Sequence, residues 1–331
     1  MSRVLVTGAS GFVGAHVVRE LQARGHTVRA LSRSATADTA VSALGAQPCR
    51  GSLDGLASLR HACDGCDAVF HLAADASVDR REAARQTATN VDGTTRLLAA
   101  ATDAGVRAFL HTSSISAYSH LVTGAVDETT PQRGGDSWVS YERSKHAGEQ
   151  QVRASALPWI VFHPTHVLGA GDRHNWARLI RMIDDRSLPG VPPGLGVFAD
   201  VREIARAQVN AWERQRFGQS YLLGGEIVEL VDFVARIGRA LDRPTPRRAT
   251  PRALLLAVAW VQYRLAILRG QPALLTPESA AIASRRQRVS SDKAVRELDY
   301  RITPLGSLIE DTLGWMRREG MLGASALPCS E

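Results

Sequence analysis

The sequence predicts an α/β chain: a doubly wound, mostly parallel sheet, with a smaller and mainly helical C-terminal lobe. Three observations carry that expectation. Short apolar runs alternate with segments of helical periodicity through the first 165 residues, and strands joined through helices pair in parallel by right-handed crossovers. A glycine-rich turn, Gly8-Ala-Ser-Gly11-Phe-Val-Gly14, stands between the first apolar run and the first helical one. Beyond about residue 165 the alternation loosens, Leu188-Pro-Gly-Val-Pro-Pro-Gly194 interrupts it, and helical stretches dominate the last third.

Residues 3–7 read as a short buried strand. Val13, Val17, Val18 and Leu21 then recur at helical spacing, and Gly25 supplies the stop. Strands are expected over 27–31, 68–72, 108–112 and 159–163, and helices over 90–104 and 141–154. The expected domains are 1–165, binding a cofactor and carrying the catalytic residues, and 166–322, mainly a substrate lobe. Segments around 195–225 are expected to return to the first domain, and 323–331 to form a frayed tail.

Composition excludes several classes. The longest apolar run, 253–261, has nine residues and is too short to span a bilayer. Met1-Ser2-Arg3 leads straight into a strand, so no secretory leader is expected and the expected location is cytoplasmic. Four cysteines do not make a disulfide framework in a chain of 331 residues. Cys63-Asp-Gly-Cys66 has metal-knuckle spacing but no second ligand pair, so both are expected to pack and no metal is expected. The net charge of +7 is spread along the chain, with no basic block longer than Arg285-Arg286-Gln287-Arg288. That fits a solvated surface drawing anionic cofactors better than a nucleic-acid partner.

A glycine turn between a strand and a helix offers backbone N–H groups to a pyrophosphate, the signature of the Rossmann type. Gly8 permits the tight turn, Gly11 a close approach, and Gly14 the packing of helix on strand. At the end of the second strand an NAD site would place an acid for the ribose 2′-hydroxyl. Here stands Ser32-Arg33-Ser34, with no carboxylate before Asp38. Arg33 suits a 2′-phosphate, so NADP(H) is expected over NAD(H).

Tyr141-Glu-Arg-Ser-Lys145 lies on an expected helix, and i, i+4 spacing puts phenol and ammonium on one face. A free tyrosine near pKa 10 is a poor proton carrier at neutral pH, and a neighbouring positive charge favours its phenolate. Of 40 basic residues only Lys145 and Lys293 are lysine. An ammonium is thus retained where this chemistry requires one. Ser114 ends a strand about 27 residues earlier and can donate to a substrate carbonyl oxygen beside Tyr141. Ser113 reads as structural and Ser116 as a minor catalytic candidate. His71, His111 and His163, at strand ends, read as hydrogen-bonded scaffold rather than acid/base groups.

With these residues assembled, the chain resembles the extended short-chain dehydrogenase/reductase family, within the NAD-dependent epimerase/dehydratase superfamily, over nearly its whole length. The landmarks are Thr7-Gly-Ala-Ser-Gly-Phe-Val-Gly14, His71-Leu-Ala-Ala74, Asn90-Val-Asp-Gly-Thr94, Thr112-Ser-Ser114 and Tyr141-x-x-x-Lys145. Residues 201–210 and Ser291-Asp-Lys-Ala294 with Leu298-Asp-Tyr300 resemble its C-terminal landmarks. Dihydroflavonol 4-reductase-like and 3β-hydroxysteroid dehydrogenase-like members are the most similar branch.

The resemblance implies a cofactor site made by Thr7, Gly8, Ser10, Gly11, Phe12, Val13 and Gly14 at the turn. Arg33, Ser52, Leu53, Leu72, Ala73, Ala74 and Thr112 continue it, with Tyr141, Lys145, Pro164 and Val167 toward the nicotinamide. Three positions depart from the family pattern. Ser52 replaces the usual Asp at the adenine, His163 replaces the Arg before Pro164, and Arg202-Glu203 stands where acids are usual.

The activity implied is a ketone reductase or secondary-alcohol dehydrogenase working with Ser114, Tyr141 and Lys145 on a rather apolar small molecule. A nucleotide-sugar epimerase or dehydratase, with Arg173, Arg178 or Arg181 on a second pyrophosphate, is the alternative. A non-catalytic NADP sensor is a third. The Leu-rich 253–268 segment either lines the substrate pocket or packs on its own lobe. Relatives also imply a homodimer through helices near 90–104 and 141–154.

Overall fold

The computed structural model describes residues 1–271, 273 and 275–323; most of the expected tail, including Cys329, lies outside them. The strands are β1 (Arg3–Thr7), β2 (Thr27–Ser32), β3 (Gln47–Arg50), β4 (Ala68–His71), β5 (Ala108–Thr112), β6 (Gly124–Val126), β7 (Trp159–Pro164), β8 (His166–Leu168), β9 (Leu195–Asp200), β10 (Gln219–Leu223), β11 (Glu226–Glu229) and β12 (Gln287–Val289). Seven of them form one sheet in the order β10-β7-β5-β4-β1-β2-β3. Every neighbour pair in it is parallel. The doubly wound Rossmann-type fold is therefore present, and β1, with Val4, Leu5 and Val6 fully buried, is an interior strand between β4 and β2. Burial on both faces is why β1 reads as an unbroken apolar run instead of an alternation.

The chain divides into two compact units. One comprises Met1–Thr165, Val201–Gly224 and Gln287–Arg301; the other His166–Asp200, Gly225–Arg286 and Ile302–Glu331. In the first, the helix Val201–Glu213 leads into β10, which joins the sheet beside β7. Its third segment adds β12 beside β6, and Tyr300 donates to the Gly224 carbonyl at 2.6 Å. The second unit holds the sheet β11-β9-β8 and the helices Trp176–Asp184, Leu230–Leu241, Arg252–Leu268, Pro277–Ala283 and Leu305–Arg318. Its core centres on Phe198 stacked on Phe233 with ring centroids 3.8 Å apart, and Trp176 meets both edge-on.

Among the elements not apparent from periodicity are the helices Ala35–Ala43 and Leu56–Cys63 and the edge strand β3. Ala35–Ala43 buries only Val41, and β3 (Gln-Pro-Cys-Arg) buries only Cys49, so neither shows a strong pattern. Pro48 is tolerated there because β3 pairs on one side alone. Near 90 the difference is one of geometry. The chain makes a wide π turn over Ala88–Asp92 before the α-helix Gly93–Asp103, a feature that tends to sit beside functional sites. Cys49, Cys63 and Cys66 are free and pack together in the core of the first unit, where burial pushes the Cys63 thiol up to about 12.

Candidate active site

The turn after β1 is shaped by two glycines. Gly8 has φ +72°, and a Cβ there would stand 2.7 Å from the Ala73 amide nitrogen. A Cβ on Gly14 would lie 2.1 Å from the Gly8 carbonyl oxygen, so helix and turn touch backbone to backbone. The helix Phe12–Ala23 starts at Gly11 with no side-chain cap and no acid in its first turn. Its N-terminal N–H groups are thus left for an anion.

A cleft of 580 Å³ opens beside this turn. It is lined by nine residues of the expected cofactor set: Gly8, Ser10, Gly11, Arg33, Ser52, Leu53, Leu72, Ala73 and Ala74. Residues at the ends of four strands, β1 to β4, converge there, and a lining of turn backbone with serine and arginine side chains fits a dinucleotide. Thr7 lies beneath, its hydroxyl 2.7 Å from His71 Nδ1 and accepting from the Ala73 amide at 3.2 Å. Phe12 and Val13 open the helix, Pro164 ends β7, and Val167 is in β8 of the second unit.

At the far end of the cleft, Arg33 is exposed and Ser34 caps the helix Ala35–Ala43 through the Ala37 amide. The fold also brings back a residue that its sequence position had set aside. Asp38 accepts from the Ser32 hydroxyl at the end of β2 and pairs with Arg50. The Arg50 and Ser32 hydrogen bonds hold its carboxyl below the usual range.

Ser114 lies two residues beyond the end of β5, and Tyr141 and Lys145 sit on the helix Ser140–Arg153. Lys145 is buried, and its Nζ donates to the Thr112 carbonyl at 3.0 Å, two residues before Ser114. Desolvation lowers the Lys145 ammonium to about 8, against the opposing charge of Glu149. Tyr141 is half-buried one turn earlier, and Ser114 is half-buried with its hydroxyl accepting from the Ser116 amide at 3.1 Å. Asn90, in the π turn, ties the two regions together. Its carboxamide accepts from the Asp75 amide at 2.7 Å and donates to the Asp75 carbonyl and the Ser144 hydroxyl, both at 2.9 Å. The strand-end loop lining the cleft is thereby pinned to the helix that carries Tyr141.

His71 bridges the Thr7 and Thr94 hydroxyls, and burial with the nearby Lys145 charge pushes it down to about 3. It is neutral scaffold. His111 differs from expectation: it is buried, well below its ordinary pKa for the same two reasons, and neither ring nitrogen has a hydrogen-bond partner among the described residues. His163 contacts Glu149 at 2.7 Å.

Glu149 is the residue sequence reasoning missed. It accepts from Ser113 at 2.7 Å and from Gln132 and Arg153 at 2.8 Å, besides meeting His163. Burial alone would raise its carboxyl, but His163, Arg153 and Ser113 outweigh that and hold it far below the usual range. It lies four residues after Lys145, so extending the i, i+4 ladder would have found it. Glu149→Ala, leaving buried partners uncompensated, is expected to cost about 3–5 kcal/mol in urea denaturation at pH 7. A carboxyl depressed in the folded state stabilises above its unfolded pKa and ceases to as pH falls through the folded value. The difference from wild type should therefore be full at neutral pH and narrow below about pH 4.

A family model described as the NAD dependent epimerase/dehydratase family matches residues 4–224. A dihydroflavonol 4-reductase-like protein of Synechocystis sp. is 28% identical over 95% of this chain and 94% of its own length. A 4-hydroxy-2-methyl-3-oxo-4-farnesyl-3,4-dihydroquinoline-1-oxide ketoreductase of Stigmatella aurantiaca is 31% identical over 98% and 99%. Among solved structures, gox2253 superposes with TM-score 0.83 at 30% identity, covering 98% of this chain and all of that one. Others of this fold are nucleotide-sugar epimerases or hold NAD beside a UDP-sugar. The resemblance read from the motifs is thus borne out: the chain belongs to the NAD-dependent epimerase/dehydratase family and is an NAD(P)-dependent enzyme of the extended short-chain dehydrogenase/reductase type.

Proposed function

We propose that the protein is an NADP(H)-dependent ketone reductase or secondary-alcohol dehydrogenase acting on an apolar small molecule through Ser114, Tyr141 and Lys145. One observation carries this reading. The only buried lysine among the described residues is held by the Thr112 carbonyl, one helical turn from Tyr141 and two residues from Ser114 along the sequence. The cofactor, when bound, supplies or accepts the hydride. In the reductive direction the Ser114 hydroxyl donates to the substrate oxygen and stabilises developing negative charge. Tyr141 delivers the proton, and the Lys145 ammonium supports the phenolate it leaves.

The cleft residues would hold the cofactor, with the uncapped N-terminus of Phe12–Ala23 toward the diphosphate and Ser52 and Leu53 toward the adenine. NADP(H) is the proposed form because Arg33 lines the cleft while Asp38 is engaged by Ser32 and Arg50. An apolar substrate is proposed from the farnesyl-bearing substrate named for the Stigmatella relative.

The test is a panel of ketones and alcohols followed at the nicotinamide absorbance with each cofactor. Turnover faster with NADPH is expected. Arg33→Ala should raise the KM for NADPH about 10–100-fold, the worth of a charge-assisted pair, with the NADH value nearly unchanged. Equal use of both cofactors by the wild type would overturn the Arg33 assignment. The second reading, a nucleotide-sugar epimerase, is favoured by the fold neighbours that hold UDP-sugars. It requires co-purified cofactor and a thermal midpoint raised by a UDP-sugar.

A further inference from the structure

The helix Arg252–Leu268 turns its apolar surface the wrong way for a protein in water. Leu255, Ala259, Tyr263 and Ala266 are buried, and Leu255 and Ala259 pack with Ala280 of the helix Pro277–Ala283. That contact uses one flank only. Leu254, Val258, Val261, Leu265 and Leu268 recur at intervals of 4, 3, 4 and 3 residues, which is one continuous stripe on a helix, and all five are exposed. Leu254 is 55%, Val261 61% and Leu268 82% accessible. Isolated exposed leucines need no explanation, but a five-residue stripe along a four-turn helix marks a surface that something else covers.

The charges around the stripe identify what. Between Asp242 and Glu278 the chain has no acidic residue. Arg247, Arg248, Arg252, Arg264 and Arg269 are exposed, and none forms an ion pair among the described residues. Two of them flank the stripe and the others cluster at the helix N-terminus. A second copy of this chain fits badly, because a two-fold contact would press the same arginines against themselves. An anionic bilayer fits both features: acyl chains take the stripe, and phosphate headgroups take the guanidinium rim. The helix has 17 residues and none among the described residues is long and apolar enough to cross a membrane, so it would lie in the interface plane.

We propose that Arg252–Leu268 with Arg247 and Arg248 is a monotopic docking surface for an anionic phospholipid membrane. It stands independently of the catalytic reading. The test is flotation of the full chain with vesicles of phosphatidylcholine and phosphatidylglycerol in equal parts, against phosphatidylcholine alone. Binding to the anionic vesicles only is expected, weakening with salt. Val261→Asp with Leu265→Asp should reduce the bound fraction about tenfold, and Arg247→Gln with Arg248→Gln and Arg252→Gln should reduce it and flatten its salt dependence. All these side chains are exposed, so the thermal midpoint and the cofactor Kd should not move. Failure to float, or flotation that the aspartates leave unchanged, would overturn the proposal. So would a light-scattering dimer that the aspartates convert to monomer without any vesicle binding.

Discussion

Tyr141→Phe is expected to lower kcat/KM for ketone reduction by about 10²–10⁴-fold, the range supplied by a positioned proton donor. The cofactor Kd, measured by fluorescence titration, should stay within about twofold of wild type. The asymmetry follows from position. Tyr141 opens the helix Ser140–Arg153 and does not line the cleft at the glycine turn, whereas Gly8, Ser10 and Gly11 do. Removing one hydroxyl deletes the proton and leaves the aromatic packing. Folding should be unaffected, since the helix is held from its other side by Glu142, which accepts from Ser119, Ser137 and the His120 backbone amide. A variant with unchanged turnover would remove Tyr141 from the chemistry. One that lost cofactor binding along with turnover would make it a positioning residue.

Much of this site was legible in the sequence because its parts are local. Gly8, Gly11 and Gly14 fall within one turn, and Tyr141 and Lys145 on one helix face, so spacing alone constrains where they lie. The central strands were legible for a different reason. Buried on both faces, β1 leaves an unbroken Val-Leu-Val run, whereas the edge strand β3 buries one residue and leaves almost no pattern. Contacts made only by folding were not legible. Asp38 follows β2 by six residues, and only the turn into Ala35–Ala43 returns it to Ser32. Asn90 was visible as a landmark, but its hold on Asp75 and Ser144 spans 15 and 54 residues. The segment Gln287–Arg301 joins the first unit through β12 and Tyr300, pairings that no local periodicity announces. The exposed stripe of Arg252–Leu268 was visible as an apolar run. Which flank is covered is a property of the tertiary contact with Pro277–Ala283, so the sequence left two burial options open and the fold leaves the stripe in solvent.

Lys145→Met should abolish measurable turnover and yet stabilise the protein at pH 7. The lysine is 4% exposed, and desolvation lowers it from 10.5 to about 8. At 1.36 kcal/mol per pH unit, holding it charged in the folded state costs about 3 kcal/mol. The sign follows from the lowered value. Below pH 8 both states are protonated and the full penalty applies. Between pH 8 and 10.5 the folded protein loses its proton first and the penalty fades; above 10.5 it is gone. Methionine has similar length and no charge, so it escapes the penalty but gives up the bond to the Thr112 carbonyl, worth about 1 kcal/mol. The net gain at pH 7 is about 2 kcal/mol, large enough to resolve in urea denaturation. Above pH 10.5 the order should reverse, because the lost hydrogen bond is then the only difference. A variant less stable than wild type at both pH values would mean that the ammonium is better solvated than its burial implies. A buried charge kept at a stability cost is what a site selected for proton transfer requires, and the pH above which the stability difference begins to shrink reports the Lys145 pKa in the folded protein.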